Sequence, residues 1–129
     1  MNSELEKLVL IARNEAMFPE VLKTMYGLLK DNEPMNRELR LALSLNRNCP
    51  VEVLEKEIKD PVDEIRVNVA KHKRATEKML ASCVKDPNPN VRMAAVNNTN
   101  ASEDTLWQFA KDDNPEVVKS ARAALKARL

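Results

Sequence analysis

A tripeptide returns at a fixed interval along this chain. Lys59-Asp60-Pro61 recurs as Lys85-Asp86-Pro87 and again as Lys111-Asp112-Asp113, with 26 residues between successive copies. The same interval aligns Leu54, Leu80 and Leu106. It aligns Leu39, Ile65, Val91 and Val117, then Leu43, Val69, Ala95 and Ala121, and it aligns Arg40, Arg66 and Arg92. A period of this length marks one supersecondary unit used several times. Such a unit cannot bury its apolar stripe alone, so its neighbours must supply the missing wall.

Each unit reads as two short helices. One is predicted from Pro61 to Lys71, where Ile65, Asn68, Val69 and His72 fall at i, i+3, i+4 and i+7. Asp60 is placed to cap it and Pro61 suits its first position; Asp86-Pro87 repeats that start. A second helix is predicted from Thr76 to Lys85, with Met79, Leu80 and Val84 inward and with Thr76 and Ser102 as equivalent caps. The chain is expected to be one domain over 1–129. Residues 1–36 form a degenerate N-terminal cap repeat, 37–114 the regular repeats and 115–129 a C-terminal capping helix. In the cap repeat, Leu5, Leu8, Val9 and Ala12 make one stripe. Pro19 opens a second helix with Leu22, Met25, Leu28 and Leu29 inside, ending at Lys30-Asp31. Asp31 precedes Asp60 by 29 residues, which predicts a short insertion.

Asp86-Pro87-Asn88-Pro89-Asn90-Val91-Arg92 resembles the intra-repeat turn of HEAT repeats, in which an aspartate precedes a Val-Arg pair. The short period, with the stretch Leu45 to Leu54 and with Val96-Asn97-Asn98, is similar to the leucine-rich repeat variant group. The resemblance covers about residues 37–118. It implies an all-α fold, a short right-handed α-α superhelix (solenoid) of stacked two-helix repeats with a period of about 26 residues. Some members of the variant group carry an iron–sulfur cluster on a separate cysteine cluster. This sequence has no such cluster, so no cofactor is expected.

Composition narrows the function classes. The single glycine, Gly27, excludes dinucleotide loops, phosphate loops and nucleophile elbows, each of which needs several glycines close together. Cys49 and Cys83 are 34 positions apart, with no Cys-x-x-Cys pair and one histidine in the chain, so no metal site is expected. The longest apolar run, Leu8 to Ala12, is too short for a membrane span or a secretion signal. A cytoplasmic location with free, buried thiols is the expectation. Charge is uneven. Residues 1–64 hold nine Lys/Arg against thirteen Asp/Glu, and residues 65–129 hold twelve against seven. That asymmetry suits head-to-tail contact between copies, or an acidic partner for the second half, as well as ordinary surface variation.

The repeated polar residues predict a ladder. Pairing each aspartate with the arginine of the preceding repeat gives Arg40–Asp60, Arg66–Asp86 and Arg92–Asp112 with nothing left over. Pairing within a repeat orphans Arg40 and Asp112. An arginine row could instead grip phosphates. His72 shares its column with Asn46 and Asn98, which predicts a hydrogen-bonding role at a helix end rather than catalysis.

Lys71-His72-Lys73-Arg74 is the densest basic stretch, Lys78 follows closely, and Arg47 is equivalent to Lys73 one repeat earlier. These cations are candidates for an anionic partner, although solubility and helix C-terminal electrostatics also favour them. Lys119, Arg122 and Lys126 form a second basic stripe on the last helix. Trp107 aligns with Glu55 and Ala81, which makes it a candidate interface anchor or a packing residue against the last helix. No catalytic set emerges. The expected function is a non-enzymatic protein–protein interaction or scaffold module with an unidentified protein partner. The alternative is nucleic-acid binding through the basic surface, which the HEAT resemblance also accommodates. A homodimer is possible in either case, and no membrane contact is expected.

Overall fold

Helix start signals divide the chain into short elements that must pack to persist. The structure is a computed structural model that describes residues 3–28 and 36–129. Its elements are α1 (Ser3–Arg13), α2 (Pro19–Gly27), α3 (Arg37–Leu45), α4 (Val51–Glu57), α5 (Asp63–Lys71), α6 (Glu77–Ser82), α7 (Pro89–Val96), α8 (Glu103–Phe109) and α9 (Pro115–Ala127). A 3-10 turn over Cys83–Lys85 extends α6, and no strand occurs among the described residues. Most of these helices are shorter than an isolated helix needs to survive in water, so tertiary packing holds them.

The odd-numbered helices form a row: α1 packs on α3, α3 on α5, α5 on α7 and α7 on α9. The even-numbered helices lie against them, α4 between α3 and α5, and α8 between α7 and α9. Leu54, Leu80 and Leu106 are fully buried in a common cluster with Val69, Val91, Ala95, Val117 and Ala121. A smaller cluster joins Ala12, Leu22 and Met25 to Leu39, Ala42 and Leu43. Tyr26 touches both clusters.

Several helix starts differ from the sequence expectation. The aspartates do not cap. Asp60 Oδ1 accepts from Val62 N at 2.9 Å, Asp86 Oδ1 from Asn88 N at 2.9 Å and Asp112 Oδ1 from Asn114 N at 2.8 Å. Each therefore closes a turn one step before its helix. The capping acceptors are Asn88 for α7 and Asn114 for α9, each followed by proline, while α5 begins after Val62 with no side-chain cap. Thr76 and Ser102 cap α6 and α8 by accepting from Met79 N and Thr105 N.

The first helix pair keeps the structural register of the later ones. Asn98 Nδ2 donates to His72 O, 26 residues back, and Asn46 Nδ2 donates to Asn14 O, 32 residues back. Leu22 and Leu54, both fully buried, are also 32 apart. Six additional residues therefore lie between Gly27 and Arg37. The expected offset of 29 was anchored on Lys30-Asp31, which, like Leu29, falls outside the described residues. Two inward assignments are corrected. Leu28 is 78% exposed because α2 ends at Gly27, where Leu22 and Met25 already fill the contact. Leu8 is 40% exposed because the main neighbour of α1 is α3, which covers only the Leu5, Val9 and Ala12 side.

Candidate functional site

Two rows of polar side chains tie each pair to the next, and their geometry decides what is left for a ligand. In the first row, Arg40 Nε donates to Asp60 Oδ2 at 2.8 Å, Arg66 Nε to Asp86 Oδ2 at 2.9 Å and Arg92 Nε to Asp112 Oδ2 at 2.9 Å. Arg66 Nη1 and Arg92 Nη1 reach the turn carbonyls of Asp60 and Asp86, both at 2.8 Å. One planar fork thus clamps the turn of its own unit and the carboxylate of the next. All six side chains are nearly buried, so this row is not a surface for gripping phosphates.

Arg40 departs from the pattern. Its Nη1 is buried without a partner among the described residues. The equivalent turn carbonyl belongs to Pro34, outside those residues. Nearby, Glu57 is fully buried, and its Oε2 also lacks a partner. Burial, reinforced by the Asp60 carboxylate, pushes the Glu57 carboxyl up to about 9, so it is neutral at pH 7. The Cys49 thiol lies 3.8 Å from Glu57 Oε1 and is pushed far up, by burial first and Glu57 second. Both cysteines are free and buried. With its proton held so tightly, neither is an activated nucleophile. The sequence reading passed over Glu57. Its column was the available signal, because the matching positions are Cys83 and Phe109, both buried.

The second row runs along the loops that join each odd helix to its even partner. Asn46 Nδ2 donates to Ala12 O at 2.6 Å and to Asn14 O at 3.0 Å. His72 Nε2 meets Asn46 O at 2.8 Å, and its Nδ1 accepts from Arg74 N at 3.0 Å. Asn98 Nδ2 donates to Ala70 O and His72 O. Two residues on, Asn48 Nδ2 donates to Glu15 O, and Asn100 Nδ2 to Lys73 O and Ala75 O. Burial first, and the neighbouring Arg74 and Lys73 after it, hold the His72 imidazole below its ordinary range and therefore neutral. Both its ring nitrogens are occupied by the backbone.

Beside this loop edge lie two depressions that share Lys71. Arg47, Lys71 and Lys73 line a hollow of about 330 Å³ with Ser44, Asn68 and His72. Lys71 also lines a groove of about 780 Å³ between α5 and α7. Half-buried Val67 and Met93 make the groove's apolar floor, and Asp63 and Glu64 stand at its far end. Arg74 is exposed on the same loop but borders neither depression. Lys119 and Arg122 line a third depression together with Asp112 and Asp113, so acidic groups share it. Trp107 is 56% exposed on α8, an even-numbered helix, and borders none of the three. The structure therefore brings Arg47, Lys71 and Lys73 together and leaves Trp107 apart from them.

Among the described residues, no group of His, Cys, Asp and Glu is arranged to hold a metal ion. No described helix is long and apolar enough to cross a membrane. In comparison with known proteins, no family model, no curated protein and no solved structure matches the chain.

Proposed function

We propose that this chain is a non-enzymatic protein–protein interaction module, a short right-handed α-α superhelix whose stacked helix pairs present a groove to a segment of another protein. One observation carries this reading. The repeated arginines, aspartates, asparagines and the histidine all point into contacts between neighbouring pairs, while the side chains of Lys71 and Asn97 line an open groove without such a contact among the described residues, beside Val67 and Met93, which pack partly against the core. A scaffold braced this way holds a surface whose residues can vary without loss of fold. His72, the one histidine, is engaged at both nitrogens, which supports a structural role.

The test is capture of partners on the immobilised chain with mass-spectrometric identification, run beside a duplex DNA mobility shift across a salt series. A captured protein that binds the purified chain directly and is not displaced by DNA supports the reading. Duplex binding tighter than about 10 μM that weakens steeply as salt rises would replace it with nucleic-acid binding.

A further inference from the structure

We propose that the hollow lined by Arg47, Lys71 and Lys73, which shares Lys71 with the groove over Val67 and Met93, is a docking site for an acidic peptide segment of a partner protein. This deepens the interaction-module reading and rests on it. Three exposed cations share one hollow, and none makes an ion pair among the described residues. Like charges gathered in this way repel one another unless an anion joins them. Cations at helix ends are ordinarily matched by the last backbone carbonyls. Here several carbonyls along the loop edge are already engaged. Asn46 O takes His72, Ala70 O and His72 O take Asn98, and Lys73 O and Ala75 O take Asn100. The loop ladder thus occupies part of the nearby acceptors, and the exposed cations keep their charge for an external anion.

The groove says what kind of anion. Lys71 lines both hollow and groove, so a carboxylate bound to it can be followed along α5 by the apolar floor. The nine residues of α5 span about 13 Å, room for roughly four extended residues of a ligand. Asp63 and Glu64 close the far end with negative charge. A nucleic-acid backbone would run its phosphates into those carboxylates, and no aromatic side chain lines the groove to stack a base. A peptide with carboxylates at one end, an apolar residue next and no acid beyond it fits every feature.

The probe is a fluorescein-labelled synthetic peptide with one lysine, one leucine and then a run of glutamates, measured by anisotropy at low salt. Its control carries glutamine in place of glutamate. A contact this small predicts a Kd on the order of 10–100 μM, with binding weakened at least about tenfold by Lys71→Glu and unchanged by Trp107→Ala. Lys71→Gln should fall between, and thermal melting of both variants keeps folding separate from binding. The proposal is overturned if the glutamate and glutamine peptides bind alike, or if the Lys71 variants bind as the parent does. Backbone amide shifts then separate the two levels. If a captured partner perturbs α8 around Trp107 and leaves α5 alone, the acidic-peptide site fails and the interaction-module reading stands. If duplex DNA displaces the peptide from α5, both fail.

Discussion

The joint between α3 and α5 and the joint between α5 and α7 are built from the same parts and finished differently. In the second, Arg66 reaches Asp86, the Asp60 carbonyl and Asp63 at 2.6 Å, and the matching core column holds Cys83. In the first, Arg40 has Asp60 and a stranded Nη1, and the column holds the buried Glu57. Redundant partners make one joint tolerant. The other depends on a single carboxylate beside a neutral acid. A sequence repeat therefore guarantees the shared Arg–Asp contact, while the side chains around it differ from one joint to the next.

The largest expected effect breaks this comparison directly. Asp60→Ala strands the nearly buried Arg40 guanidinium and should lower stability by about 4 kcal/mol, whereas Asp86→Ala leaves Arg66 two other acceptors and should cost about 2 kcal/mol. Urea denaturation with unchanged slope measures both. Equal losses would mean the joints are equivalent. Next in size is Glu57→Met, which restores the residue type that Met25 supplies in the first pair and should stabilise by about 2 kcal/mol at pH 8. Because the folded-state pKa of Glu57 is raised, folding holds a proton that the unfolded chain releases near pH 4. The associated stability is present in acid and is lost as pH rises toward 9. His72 has the opposite sign, since its depressed value adds stability as pH rises through about 6.5. Melting between pH 7 and about 8, below the range in which unfolded cysteines ionise, isolates Glu57. The parent should lose stability steadily there and Glu57→Met should stay flat.

The Arg–Asp spacing was legible because counting partners leaves only one complete pairing scheme, and 20 residues separate each pair in the structure. The loop row was half legible. The column of Asn46, His72 and Asn98 stood out, but Asn14 was hidden by its offset of 32, and Asn48 and Asn100 flank Arg74, which breaks their pattern. Leu8 and Leu28 misled because helical spacing reports which residues share a face and not whether a neighbour covers it. Glu57 was invisible to periodicity, since glutamate on a short helix reads as solvent-facing until its column is compared with Cys83 and Phe109. The hollow lined by Arg47, Lys71 and Lys73 was legible as charge alone. Only coordinates show that the neighbouring carbonyls are taken.

Two smaller effects sharpen the contrast between the first pair and the rest. Asn98→Ala removes two donations to the preceding loop and should cost about 2 kcal/mol. Asn14 is exposed and its side chain accepts only from Ala16 N, so Asn14→Ala should cost less than about 0.5 kcal/mol. A further change transplants a feature of the later units into the first. Thr76 and Ser102 cap their helices by accepting from the backbone three residues on, while Phe18 holds the equivalent position before α2, 74% exposed and with no side-chain cap. Its backbone, at φ −65° and ψ 136°, is already in the extended region, close to the −72° and 162° of Ser102. Phe18→Ser should therefore need no rearrangement. Val21 N already donates to Phe18 O at 3.0 Å, so the new hydroxyl can only share that donor, whereas Ser102 accepts from Thr105 N, and an exposed ring that contributes little burial is removed. The expected gain is about 0.5 kcal/mol, read as a higher urea midpoint and slower amide exchange confined to α2. A loss of stability instead would show that the Phe18 ring holds α2 in place, and that the first pair is braced by apolar contact where its successors use a cap.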